Sequence, residues 1–149
     1  MSCLEFRVMA SIKNFEDLEI WQLARKLNQE ISGILEVLDS KRSYELKNQL
    51  DRSAGSIMDN IAEGFERNGN REFIQFLAIA KGSLGEVRSQ LYRVEDRKYI
   101  ESEKLHLLQE ECLSLANRIG KFITYLNKSE IRGSKFIRSE NKISEINPK

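Results

Sequence analysis

Apolar residues along this chain recur every three or four positions in four successive stretches, the spacing that lays them on one face of a helix turning about 100° per residue. Ile20, Leu23, Ala24, Leu27, Ile31, Ile34 and Leu38 mark the first stretch, and Leu46, Leu50, Ala54, Ile57 and Ile61 the second. Phe73, Phe76, Leu77, Ala80, Leu84, Val87, Leu91 and Val94 mark the third; Leu105, Leu108, Cys112, Leu115, Ile119, Phe122 and Leu126 mark the fourth. The pattern predicts helices over 15–38, 44–67, 71–98 and 103–127. Pro148 is the sole proline, so nothing interrupts them. Links of a few residues force neighbours antiparallel, which predicts an all-α, antiparallel up-down-up-down four-helix bundle over residues 14–128. Residues 1–13 are then an N-terminal extension. Residues 129–149, where the periodicity fades into polar sequence around Gly133, read as a flexible C-terminal tail.

Three groups of residues do not fit the core faces. Projected on the first helix, Phe15, Leu18 and Trp21 fall on the side away from Ile20 and Leu27, leaving an aromatic patch that asks for cover. On the third helix Ala78, Gly82, Gly85 and Ser89 line up nearly opposite the core face, and each mid-helix glycine costs about 1 kcal/mol against alanine. Both faces suit an oligomer contact; cover by the chain's own termini and merely tolerated glycines are the alternatives. On the second helix Gln49, Arg52, Ser56, Asn60, Glu63 and Arg67 form a polar stripe beside the core. Residues four apart there can bond along the helix and reach Ser83 or Glu86 alongside, so Arg52, Ser56, Asn60, Glu63 and Glu86 read as a structural polar network that sets register between helices. Gly64 reads as a position of close approach near the helix end.

Charge narrows the partners. With 24 basic and 23 acidic residues in 149, the chain has no global field to draw it to nucleic acid or anionic lipid, so such binding needs a local patch. The predicted topology gathers one, because the first and third links share an end of the bundle and bring Lys41, Arg42, Arg93, Arg97 and Lys98 there. Two cysteines, Cys3 and Cys112, lie far apart and suit a reduced cytoplasmic protein. The opening MSCLEFRVMASI carries Glu5 and lacks a sustained apolar run, so it reads as neither signal peptide nor anchor, and no segment approaches the ~20 apolar residues of a membrane span.

Candidate chemistry is sparse. A dimetal bundle needs a Glu from each of two helices and a Glu-x-x-His pair from each of the other two. Glu103 to His106 is the sole such pair, and His106 is the sole histidine. No catalytic, cofactor-binding or metal-binding set is legible, and the chain is not expected to be an enzyme. A magnesium-dependent all-α nucleotide hydrolase using Glu63 and Glu86 is the weakest alternative.

The motifs FEDLEIWQ, SIMDNIAEG and AKGSLGE, together with the intervening sequence, give the chain a close likeness to a known group. It resembles the four-helix bundle proteins of the 23S rRNA intervening-sequence family, over about residues 14–128. The likeness falls on Phe15, Leu18, Trp21 and Gln22, on Ser56, Ile57, Asn60, Ile61, Ala62, Glu63 and Gly64, and on Ala80, Gly82, Ser83, Leu84 and Glu86. The resemblance implies a bacterial bundle that assembles into homopentameric rings. It also implies kinship with the accessory protein of diversity-generating retroelements, a basic pentamer that binds nucleic acid and its reverse transcriptase. This chain departs from that protein in being near neutral. The expected function is a non-enzymatic oligomeric adaptor contacting RNA, DNA or a nucleic-acid enzyme such as a reverse transcriptase. The alternative is a purely protein-binding structural ring.

Overall fold

The computed structural model describes residues 12–67 and 69–145, with side chains described as far as Ser129. Residues 1–11, most of the expected extension, lie outside the described residues. A single 3-10 turn, Phe15–Asp17, leads into four helices: α1 (Glu19–Ser40), α2 (Tyr44–Glu66), α3 (Asn70–Asp96) and α4 (Ser102–Glu145). Each packs on its sequence neighbour, and α4 closes the bundle against α1.

Cross-helix pairs give the directions. Ser43 meets Arg97, Gln49 meets Arg93, Ser53 meets Glu86 and Gln90, and Ser56 meets Ser83, so partner numbers fall along α3 as they rise along α2. His106 with Glu95 at one end of the α3–α4 seam and Gly120 beside Lys81 further along show the same reversal. Glu19 meets Arg118 and Gly33 lies beside Lys104, which makes α1 antiparallel to α4. The bundle is up-down-up-down. Its core holds the apolar faces read from the sequence, with Ile31, Ile34, Leu50, Ile57, Leu77, Leu84, Leu91 and Ile119 among the fully enclosed side chains. Each such side chain contributes about 1.5–3 kcal/mol over leaving it in water.

The first helix corrects the sequence reading at its start. The chain is extended at Leu18 (φ −72°, ψ 124°), so α1 begins at Glu19 and the helical projection of Phe15, Leu18 and Trp21 does not apply. Leu18 turns inward and is only 3% exposed, while Phe15 and Trp21 pack half-buried against the core, their rings edge to face at 5.1 Å. The Gln22 side chain closes the turn by donating to the Glu16 carbonyl at 2.8 Å. Of the expected aromatic patch, Leu18 is therefore covered within the chain, while Phe15 and Trp21 stay partly exposed. Neither Asn14 nor Asn70 caps a helix with its side chain; Gly69 holds the position before α3.

α4 also departs from expectation, running on as helix to Glu145 rather than ending at Asn127. Within that stretch the one strong helix-disfavouring residue is Gly133, whose cost of about 1 kcal/mol does not break a long helix, and Pro148 comes only after its end. Among the described residues no helix is long and apolar enough to cross a membrane.

Candidate nucleic-acid interface

The α1–α2 and α3–α4 links lie together at one end, as the topology requires. The Arg97 guanidinium donates to the Ser43 hydroxyl at 2.8 Å, and the Lys41 ammonium lies 5.6 Å above the centre of the Tyr99 ring, so the two links are clasped to each other. Both helices feeding this end stop at a left-handed residue. Ser43 N–H bonds the Leu38 carbonyl at 2.8 Å and Arg42 N–H bonds the Asp39 carbonyl at 2.9 Å, the paired bonds of a Schellman turn. At the end of α3, Lys98 N–H bonds the Glu95 carbonyl at 2.9 Å. Such turns need a left-handed residue, usually glycine. Here Arg42 and Lys98 occupy it, each at φ 57°, and they are the only non-glycine residues with positive φ among those described.

All five bases expected here are exposed. Two of them also bond across the bundle: Arg97 donates to Ser43, and Arg93 to the Gln49 amide oxygen at 2.6 Å across the α2–α3 seam. Neither Arg42 nor Lys98 has a hydrogen-bond or ion-pair partner for its side chain among the described residues. The surrounding acids are partly engaged: Asp39 with Lys47, and Glu95 with His106 at 2.9 Å. Tyr44, the first residue of α2, and Tyr99, in the α3–α4 link, stand exposed at this end, and sequence reasoning misses them because a tyrosine at a helix start or in a link carries no periodic signal.

The polar network exists in part. Asn60 donates to the Ser56 carbonyl at 2.7 Å and hydroxyl at 2.9 Å, and Ser56 shares a hydrogen bond of 2.9 Å with Ser83 of α3. Ser53 donates to the Glu86 carboxylate and accepts from the Gln90 amide, both at 3.0 Å. Ser53 and Gln90 escape the sequence reading because a serine beside a core stripe looks like filler until a partner helix is placed. Glu63 joins the network along the helix, through the expected pair with Arg67 at 3.0 Å, but reaches no residue of α3. One expected member falls outside: Arg52 is exposed with no partner among the described residues. Gly64 is the close approach anticipated: a Cβ there would sit 2.6 Å from the Phe76 Cβ.

Other candidate chemistry finds little geometry. Glu86 meets Ser53, ten residues or about 15 Å along α2 from Glu63, so the structure does not bring Glu63 and Glu86 together. Glu30 and Glu111 face each other across the α1–α4 seam; burial first, then the Glu30 carboxylate, pushes the Glu111 carboxyl up, with Lys26 opposing. Burial also pushes the Cys112 thiol up to about 12, leaving a neutral packing residue. Among the described residues no three His, Cys, Asp or Glu side chains cluster to hold a metal. A cleft of about 310 Å³ opens at the opposite end of the bundle, walled by Phe65, Phe73, Phe122 and Tyr125. Arg67 at its rim is already committed to Glu63 and lies 5.5 Å over the Phe76 ring.

Fold and site together define an all-α four-helix bundle whose described polar contacts lie between helices and at one linked end. Residues 16–121 match the family model of the 23S rRNA-intervening sequence proteins, and the chain belongs to that family. Among solved structures it is similar to a protein of unknown function from the S23 ribosomal protein family of Bacteroides thetaiotaomicron. That likeness has a TM-score of 0.66 at 20% identity, over 70% of this chain and 97% of the other, and is a likeness of fold. No curated protein matches the chain. In this structure most of the motif residues specify the fold: Gln22 closes the entry turn, Ser56, Asn60, Ser83 and Glu86 bond along or across the α2–α3 seam, and Gly64 lets α3 approach.

Proposed function

We propose that the protein is a cytoplasmic, non-enzymatic oligomeric adaptor that contacts nucleic acid through the linked end bearing Lys41, Arg42 and Lys98. The observation carrying this reading is that both left-handed non-glycine residues are unpaired cations at one end of the bundle. A left-handed side chain costs roughly 1–2 kcal/mol where glycine or asparagine would be cheaper. A cation near a helix C-terminus returns typically 0.3–1 kcal/mol at an exposed site, which falls short. A phosphate ligand would supply the difference. Membership of a family named for sequences intervening in 23S rRNA makes RNA the first nucleic acid to test.

Arg42→Asn with Lys98→Asn removes both charges while keeping residues that tolerate the left-handed region. The double variant is expected to bind labelled RNA or DNA more weakly whatever the sequence. Its affinity should also depend less on salt, the log-log slope becoming shallower by about one for each phosphate it no longer neutralises. Fluorescence anisotropy between 50 and 200 mM salt, a range over which such binding falls steeply by about 10³ or more for six or more phosphates, reads both effects. Wild-type binding that ignores salt and the double substitution would overturn the interface, and no binding at all would leave the protein-only ring.

Assembly is supported by the outward face of α3, where Ala78, Gly82 and Gly85 are exposed beside Ile79, itself 51% exposed. Nothing lies within 4 Å of a Cβ built on Gly82 or Gly85, so the single chain gives no reason for glycine at either site. A helix of a second copy could approach closely there, and a ring would repeat the cationic end around its rim and add avidity. Gly82→Ala with Gly85→Ala is expected to stabilise the dissociated chain by about 1 kcal/mol per site and to weaken assembly. Thermal unfolding at low concentration and light scattering at high concentration separate the two. A wild-type protein with monomer mass throughout would count against the ring.

A further inference from the structure

We infer that the nucleic acid taken at the linked end is single-stranded, its bases stacking on Tyr44 and Tyr99 beside Arg42 and Lys98. This rests on the nucleic-acid reading above and names the strand form it selects. Tyr44 is the first residue of α2 and is 53% exposed; Tyr99, in the α3–α4 link, is 36% exposed. The Ser43–Arg97 bond and the contact of Lys41 with Tyr99 tie the two links, so both rings and the exposed cations share one end. The Lys41 ammonium lies 5.6 Å over the Tyr99 ring, so a base stacking on that face would displace it, and the freed cation would be within reach of the same nucleotide's phosphate.

The local charge favours a single strand over a duplex. Glu45, Asp96, Glu101 and Glu103 stand on or beside the same links, so this end has separate cations but no broad positive field. A duplex presents one negative charge every ~1.7 Å of axis and gains its hold almost wholly from phosphate neutralisation. It would meet those carboxylates with its base faces sealed inside the stack. An unpaired strand carries charge more sparsely and exposes π-faces, and base–tyrosine stacking is indifferent to the neighbouring acids. Few cations with two exposed rings suit that ligand.

The test uses the full chain with labelled single strands of about 12 nucleotides, RNA and DNA, and the matching duplexes at equal salt. The single strand is expected to bind at least about 10-fold more tightly than the duplex. Tyr44→Ala with Tyr99→Ala should weaken single-strand binding by about 10-fold per ring and leave duplex binding unchanged. Tyr44→Phe with Tyr99→Phe keeps the stacking faces and should retain affinity, and thermal unfolding of both variants checks that the bundle is intact. Duplex binding as tight as single-strand binding, sensitive to Arg42 and Lys98 but not to the tyrosines, would overturn the inference while leaving the interface standing. No binding of any probe would overturn both.

Discussion

Gly64→Ala is expected to destabilise the bundle by about 1–3 kcal/mol, the cost of forcing a methyl group into a closed contact. The added Cβ would lie 2.6 Å from the Phe76 Cβ and 2.9 Å from the Phe73 Cδ2. A Cβ cannot rotate away, so α2 and α3 must separate, which also disturbs Phe73, whose ring packs edge to face against Phe65 and Phe122. Alanine's better helix propensity, worth about 1 kcal/mol, opposes the change and is already set against the strain in this figure. Urea unfolding should show a lower midpoint with an unchanged slope. A variant as stable as the parent would mean that the helices do not approach at Gly64. The same substitution at Gly82 or Gly85 meets open space, so the opposite sign there is a control within one helix pair.

Ser53→Ala is expected to cost about 1–2 kcal/mol although it removes a single oxygen. Ser53 is 5% exposed, and its hydroxyl both donates to Glu86 and accepts from Gln90. Its loss leaves the half-buried Gln90 amide without its acceptor, and the Gln90 carbonyl is already buried without a partner. Glu86 reaches solvent and can rehydrate, which keeps the expected cost in the lower part of the usual range. A double-mutant cycle with Gln90→Ala should give a coupling of at least about 0.5 kcal/mol; strict additivity would show that the two side chains do not work together.

Legibility varies with the range of the interaction. The four apolar stripes hold nearly throughout, because each is written within a few residues of helix. The entry segment fails for the same reason in reverse: a helical projection carried over Phe15 and Leu18 misplaces them, since the chain is not helical there. Asn60 and Ser56 are legible because both lie on one helix four residues apart, whereas Gln90 to Ser53 spans 37 positions and has no local mark. The cationic end follows from topology alone, yet which bases stay free does not. Arg93 and Arg97 look like Arg42 on paper, and only the placement of Gln49 and Ser43 opposite them gives each a partner across the bundle.

What the sequence by itself determined is the number of helices, the face each buries and the antiparallel order that short links impose. These follow from periodicity and chain connectivity, which act over a few residues. Only the tertiary structure decided that Leu18 belongs to the core, that the close approach at Gly64 is to Phe76 and Phe73, and that Arg42 and Lys98 hold left-handed turns usually given to glycine. The first two rest on contacts between residues distant in the chain, while the turns at Arg42 and Lys98 are closed by bonds within five residues but stand where the two links meet through Ser43 and Arg97.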